Sequence, residues 1–228
     1  MDIDEISADA RSGNAARLHE ETARHHGDSL AVEYHGTTLT HDELSAESAG
    51  FAGALAEHGI EPGDVLLQYL PNCPAYLTGA LGAFKAGVAV SPVNPQYRKR
   101  ELIYQLEDTG ATVVLTHTAL LEHLREALAE IDWDPLVVAV ASSDDDVEMF
   151  SEFRGDPTFV EQDDDDIALL PYTSGTTGKP KGVELTHANF RAQMFQILGQ
   201  SNDIPDEEVK SLVWLPLYHI TGFTHTAW

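Results

Sequence analysis

The sequence predicts an α/β protein built on a mostly parallel sheet flanked by helices. Two observations point there. Strand-like and helix-like segments alternate along most of the chain. Several of the strand-like segments, "ATVVLTH" and "LVVAVAS" among them, are continuous apolar runs. A strand covered by helices on both faces has no polar side to show, whereas a half-solvated antiparallel strand does.

Taken in order, "NAARLHEETARHH" reads as an amphipathic opening helix, and "SLAVEYHGTTLT" as two short strands around a tight turn at Gly36. Thr40 followed by Glu43 is a capping-box signature for the helix "HDELSAESAGFAGALAEHG". Along that helix Leu44, Phe51 and Leu55 recur at helical spacing, so one face is apolar. "DVLLQYL" reads as a strand, "PAYLTGALGAFKAG" as a helix, and "VAVSPVN" as a strand and turn. "KRELIYQLEDTG" is a helix, "ATVVLTH" a strand, "ALLEHLREALAEI" a helix and "LVVAVAS" a strand. "IALLPY" then reads as a short buried strand and "LTHANFRAQMFQIL" as a helix that Thr186 can cap. No internal repeat is visible.

The chain has 228 residues, enough for one large domain or two small ones, and its hydrophobic fraction of 43% is that of a globular protein. Its charge is unusual: 38 Asp and Glu oppose 13 Lys and Arg, a formal net charge of −25. Such a surface repels nucleic acid and anionic membranes, which excludes both as expected partners. It also repels itself, and at ~1 M salt, where the Debye length falls to about 3 Å, that repulsion is mostly screened. A halophilic protein from a salty cytoplasm, with an acidic proteome around it, is the expectation; a merely acidic bacterial enzyme is the alternative. The acidic runs Asp144 to Asp146 and Asp163 to Asp166 lack the glycine and terminal glutamate of a calcium loop and read as solvated loops. Cys73, the one cysteine, excludes an internal disulfide and has no activating base near it in sequence. The N-terminus lacks the features of a signal peptide, and "PAYLTGALGAFKAGVAV" is too short and glycine-rich to span a membrane. A cytoplasmic protein is expected.

One stretch carries chemistry. "YTSGTTGKPKG", Tyr172 to Gly182, packs hydroxyls, glycines and lysines between two regular elements. It is either a flexible connector or a holder of something anionic. Phosphate binding needs donors converging on a small volume. Glycines let the backbone approach and turn its N–H groups inward, hydroxyls add hydrogen bonds, and a lysine adds charge. Thr173, Ser174, Gly175, Thr176, Thr177, Gly178, Lys181 and Gly182 supply all of these, whereas a connector explains the glycines and not the lysines. Other phosphate loops do not fit. Walker A spacing counted from Gly175 meets Pro180, and from Gly178 meets Val183, where the second glycine belongs; no G-x-G-x-x-G is present. Tyr172 stands where a serine-hydrolase elbow needs glycine.

The stretch resembles the signature loop of the adenylate-forming superfamily, which includes acyl-CoA synthetases, luciferases and peptide-synthetase adenylation domains. "LTHDEL" and "GDVLLQYLPNCPAYLTGALGAFKAGVAVSPVNPQYRKREL" support the resemblance upstream, and "LTHANF" and "WLPLYHITGF" downstream. "SPVNPQY" and "LPLYH" are similar to the fatty-acyl or medium-chain acyl-CoA branch. The resemblance implies the N-terminal portion of the family's large domain. An N-terminal subdomain would run to about residue 165, the phosphate loop would occupy 172–182, and a second subdomain would begin at 183–228. It also implies an AMP-forming ligase: a carboxylate and ATP give acyl-adenylate and pyrophosphate, and the thiol of CoA then displaces AMP. By resemblance, Thr173 to Lys181 hold the β- and γ-phosphates, Thr173 helps ligate Mg²⁺, and Lys181 and His219 are catalytic. His219 lies beside the carboxylate, and Phe223 stands where long-chain members gate the acyl tunnel. Read from the residues alone, the alternatives are a core histidine for His219 and simple packing for Phe223.

Several of the family's motifs are not in the sequence: the Y-G-x-T-E segment whose Glu shares the metal, the T-G-D segment that binds ribose, and the C-terminal domain with its lysine. Three readings follow. The chain is the front of an acyl-CoA ligase, or it is a non-catalytic remnant or split half that needs a separately encoded C-terminal part. The third is an unrelated phosphate-binding module, against which the agreement on both sides of the loop argues.

Overall fold

The computed structural model describes residues 6–173, 180–201 and 211–226. In chain order, α1 (Arg17–His26) is followed by β1 (Leu30–Tyr34), β2 (Thr37–Thr40) and α2 (His41–Glu57). Then come β3 (Val65–Tyr69), α3 (Pro74–Lys85), β4 (Ala89–Pro92), α4 (Lys99–Thr109), β5 (Val113–His117), α5 (Leu121–Leu128) and β6 (Leu136–Val140). The short strands β7 (Glu148–Met149), β8 (Ile167–Leu169), β9 (Tyr172–Thr173), β10 (Lys181–Gly182) and β11 (Leu185–Thr186) lead into α6 (His187–Ser201) and α7 (Ile220–Thr226).

Seven strands form the central sheet in the order β11-β8-β4-β3-β5-β6-β7. All neighbours are parallel except β11 and β8. The apolar runs are these inner strands, and their alternate side chains feed opposite faces. Leu66, Val113 and Leu115 enter one core, with Phe51, Tyr76, Phe84 and Phe190. Leu67 and Val114 enter the other, with Leu102 and Leu106 of α4 and Leu124 of α5.

Helix α2 starts as its sequence predicts. Glu43 N–H donates to Thr40 Oγ1 and Thr40 N–H to the Glu43 carboxylate, a closed capping box. Helix α3 lies against α2 so closely that a Cβ on Gly82 would stand 2.7 Å from the Phe51 ring and 2.8 Å from the Ser48 carbonyl. Gly82 of "TGALGAF" therefore serves the contact with α2, and Gly79, where a Cβ would stand 2.3 Å from the Leu115 side chain, serves the approach of α3 to the sheet. Lys85, a polar break in that apolar segment, is 1% exposed. Its ammonium donates to the Ser45 carbonyl and Ser48 Oγ, both at 2.8 Å, and pairs with Glu20 at 2.6 Å, so one charge joins α1, α2 and α3.

Three elements differ from the sequence expectation. Helix α1 begins at Arg17 rather than at Asn14: residues 14–18 form a tighter i,i+3 turn first, with Asn14 Oδ1 accepting the Ala16 N–H and the Asn14 amide donating to the carbonyls of Phe84 and Val160. "IALLPY" is divided: β8 ends at Leu169, and Tyr172 belongs to the separate pair β9–β10. "LTHANF" opens as the edge strand β11 before the helix, with Thr186 and Asn189 bonded reciprocally at 3.2 Å as the cap. The acidic runs are loops. Arg125 pairs with Asp144 and Asp146, and Asp164 receives the Gly13 N–H and the Arg191 guanidinium. Among the described residues no group of three or more His, Cys, Asp or Glu could hold a metal, and no helix is long and apolar enough to cross a membrane.

Two buried histidines make stability depend on pH. Burial, and then the nearby Lys85 and His41, lower the His19 pKa to about 4; burial and Arg191 lower His187 to about 4. Below the ordinary value of 6.5 the unfolded chain takes up protons that these folded imidazoles refuse. Stability is therefore full above pH 6.5 and falls as the pH drops towards 4, by on the order of 3 kcal/mol per histidine. Urea denaturation between pH 7 and pH 5, above the carboxylate range, checks this: the midpoint falls in the parent and stays flatter in His19→Gln/His187→Gln.

Candidate active site

Helix α4 places Tyr104 and Asp108 one turn apart on the same face, the i,i+4 arrangement. Both reach the ends of the Gly- and Thr-rich loop. Tyr172, where the chain enters, donates its hydroxyl to the Asp108 carboxylate at 2.5 Å. Pro180, where the chain leaves, accepts from the Tyr104 hydroxyl at 2.7 Å. The Tyr104 and Tyr172 rings meet edge to face, centroids 6.3 Å apart. Burial, and then Asp108, raise the Tyr172 pKa, so the phenol stays a donor.

Between these anchors β9 and β10 form an antiparallel stem with Tyr172 opposite Gly182 and Thr173 opposite Lys181. A Cβ on Gly182 would lie 3.2 Å from the Tyr172 ring, so the absent side chain lets the ring settle over the backbone. Thr173 and Lys181 are exposed and directly paired, with Thr173 Oγ1 donating to the Lys181 carbonyl at 3.5 Å. Ser174, Gly175, Thr176, Thr177 and Gly178 lie outside the described residues. Behind the stem, Gln105 donates to Ser91 Oγ at 2.8 Å, and Ser91 Oγ donates to the Leu170 carbonyl at 3.0 Å, tying α4 and β4 to the exit of β8.

His219 and Phe223 sit on a second anchor. Beyond the end of β3, Asn72 donates to the Leu215 carbonyl and accepts from the Leu217 N–H, both at 2.9 Å. That clasp fixes the turn in which His219 N–H donates to the Pro216 carbonyl at 3.1 Å. His219 is exposed and is therefore no core histidine. One turn further, Phe223 N–H donates to the His219 carbonyl. The Phe223 ring is fully buried against Tyr76, Phe84 and Phe190, with centroids at 6.2, 6.4 and 5.7 Å. In this structure the ring packs among those three aromatics. Gly222 is obligatory here, since a Cβ would fall 2.1 Å from the Pro216 carbonyl. Beside this turn a cavity of about 320 Å³ opens between Asn189, Phe190 and Gln193 of α6 and Ile220, Thr221 and Thr224 of α7.

The sequence reading missed Tyr104, Asp108 and Asn72. The helical spacing of the first two was legible, but their partners lie far along the chain. Asn72 sits in the "LPNCPAY" turn, where only the cysteine drew attention. As a metal site the described residues fall short: Thr173 offers one neutral hydroxyl, whereas Mg²⁺ takes carboxylates, water and phosphate oxygens. They do not make a magnesium site by themselves.

Residues 19–228 match the AMP-binding enzyme family, and the chain belongs to it. Among its relatives, 4-coumarate–CoA ligase 3 of Oryza sativa subsp. japonica is 35% identical over 191 residues, covering 81% of this chain and 34% of that protein. The fold is that of a long-chain-fatty-acid–CoA ligase from Archaeoglobus fulgidus, with TM-score 0.82 and 23% identity over 94% of this chain and 44% of that one. It is also similar to o-succinylbenzoate CoA synthetase from Bacillus subtilis, solved with its acyl-adenylate intermediate, with TM-score 0.73 and 27% identity over 91% of this chain and 51% of that one. The chain spans about a third of the length of the coumarate and ferulate ligases it matches.

The Asn72 clasp is testable. Asn72→Ala removes two hydrogen bonds and is expected to cost ~1–2 kcal/mol, with faster amide exchange at Leu217. Asn72→Asp keeps the acceptor and is expected to retain most of the Leu217 protection. Unchanged exchange in Asn72→Ala would show that the turn holds itself.

Proposed function

We propose that this chain carries the ATP-phosphate site and part of the carboxylate site of an AMP-forming acyl-CoA ligase. The observation that supports this most is the antiparallel pairing of Thr173 with Lys181, the residues that flank "SGTTGK" in sequence, with Tyr172 and Pro180 beside them bonded to α4. The reaction is a displacement: a carboxylate oxygen attacks the α-phosphorus of ATP, the bond to pyrophosphate breaks, and the thiol of CoA later attacks the acyl carbon as AMP leaves. In this reading Thr173, Ser174, Thr176 and Thr177 donate to the β- and γ-phosphates, Gly175 and Gly178 bring the backbone close, and Lys181 neutralises charge. His219 orients the carboxylate at the mouth of the site, and Phe223 seats the turn that carries it. A divalent metal arriving on the nucleotide would further neutralise phosphate charge, with the Thr173 hydroxyl as one neutral ligand beside phosphate oxygens and water. In the same reading the loop at 172–182 joins an N-terminal subdomain, to about residue 165, to the start of a second subdomain at 183–228. The acid has an apolar body, a fatty acid in the first instance.

A second reading, a half that turns over only with further polypeptide, is favoured by the apolar segment ahead of His219. Leu212 is 86% and Trp214 77% exposed, a strip that other polypeptide would have to cover. Hydrogen bonds to charged groups contribute ~1.5–3 kcal/mol each before ordering costs. A few of them on phosphate leave about 4 kcal/mol net, or roughly millimolar affinity. Weak binding by the chain alone is therefore expected under either reading.

ATP–pyrophosphate exchange with a panel of carboxylic acids separates the two. Acid-dependent exchange that disappears in Lys181→Met supports the ligase reading; pyrophosphate binding without exchange supports the split half. Binding of neither ATP nor pyrophosphate overturns both. The assay belongs in molar KCl, because we also infer from the net charge of −25 a salt-rich cytoplasm as the working medium. The denaturation midpoint is expected to rise between 0.1 and 2 M KCl; an unchanged midpoint contradicts that inference.

A further inference from the structure

We propose that Tyr104 and Asp108 are positioning residues that set the affinity of the Thr173–Lys181 stem for phosphate, although neither needs to touch the ligand. The inference rests on reading the loop as a phosphate site. A stem of two residue pairs is too short to hold its own register, since an isolated two-stranded hairpin is marginal in water. The structure supplies what it lacks from outside. Asp108 takes the Tyr172 hydroxyl at the entry strand, and Tyr104 gives its hydroxyl to Pro180 at the exit. Because both come from one face of one helix, the spacing between the entry and exit of the loop is set by the i,i+4 rise of α4. That helix is itself rigid: Leu102 and Leu106 are fully buried, and Gln105 between them is bonded to Ser91 and the Pro92 carbonyl. The ligand-facing groups Thr173 and Lys181 stand next to the clamped residues, so slack at either end moves them relative to each other. A preorganised site loses less freedom on binding, and affinity follows from that.

The hydroxyls can be removed without disturbing packing. Tyr104→Phe keeps the ring against Tyr172 and deletes the bond to Pro180. Asp108→Ala deletes the acceptor for Tyr172, and Asp108→Asn restores an acceptor of the same size. Two readouts are made on the whole chain in molar KCl. Amide exchange at Thr173, Lys181 and Gly182 reads the clamp itself, and titration with inorganic pyrophosphate reads its consequence. Expected are faster exchange at these amides and roughly tenfold weaker pyrophosphate binding in Tyr104→Phe and Asp108→Ala, the equivalent of one net hydrogen bond. Near-parental values are expected in Asp108→Asn. Unchanged stem exchange in Tyr104→Phe overturns the clamp whatever the affinity does. Faster exchange with unaltered pyrophosphate affinity overturns the positioning role. If the parent chain binds no pyrophosphate, the phosphate reading fails first and takes this proposal with it, an outcome distinct from the other two.

Discussion

Strand β3 is hydrogen-bonded along both edges by parallel neighbours, β4 on one side and β5 on the other, and the rest of the chain is arranged around that pairing. Parallel strands need crossovers, and crossovers are right-handed. Leaving β3 for β4 and returning past it to β5 therefore sends α3 and α4 to opposite faces of the sheet. That single constraint separates the two cores. It also separates the two anchors of the candidate site: the Asn72 turn between β3 and α3 holds the His219 segment, and α4 holds the loop stem. Sites in open α/β sheets form where strand order reverses, beyond the carboxyl ends of the strands. Asn72, just beyond the end of β3, stands at such a reversal.

Charge is handled differently inside and outside. At the surface, carboxylates far outnumber cations, and pairs such as Arg125 with Asp144 and Asp146 are fully solvated and screened by salt. Inside, Lys85 is removed from water, and burial lowers its pKa against the opposing pull of Glu20. Truncating such a residue leaves its partners unpaired, with a cost on the order of 3 kcal/mol. Salt therefore acts on the outer carboxylates and scarcely on the Lys85 clasp. Burial comes first in the acid sensitivity of His19, and the same clasp adds to it: a proton there puts positive charge beside Lys85, with Glu20 opposing.

Periodicity and composition carried most of the fold. The inner strands, their helices and the Thr40 capping box were legible because each is decided by nearby residues. What escaped was decided at a distance. β7 is two residues long and exists only because β6 presents a free edge to Glu148 and Met149. The Asn14 amide ends up on Phe84 and Val160, and nothing local to "SGNAAR" announces that. For the site, the loop and Lys181 were visible as a dense local motif. Tyr104, Asp108 and Asn72 were not, because each bonds to residues far away in sequence. His219 and Phe223 came from resemblance, and their surroundings divide them: the histidine is exposed on a clasped turn, and the phenylalanine is locked among three rings.

In the proposed function, the stem of Thr173 and Lys181, held from α4, forms the base of a phosphate site. The most direct test is a crystal structure of the chain with pyrophosphate or ATP. Phosphate oxygens are expected within hydrogen-bonding distance, ~2.7–3.2 Å, of Lys181 Nζ and Thr173 Oγ1, with the Tyr104 and Asp108 bonds intact. Phosphate bound elsewhere on the surface, with the stem formed and empty, would contradict it.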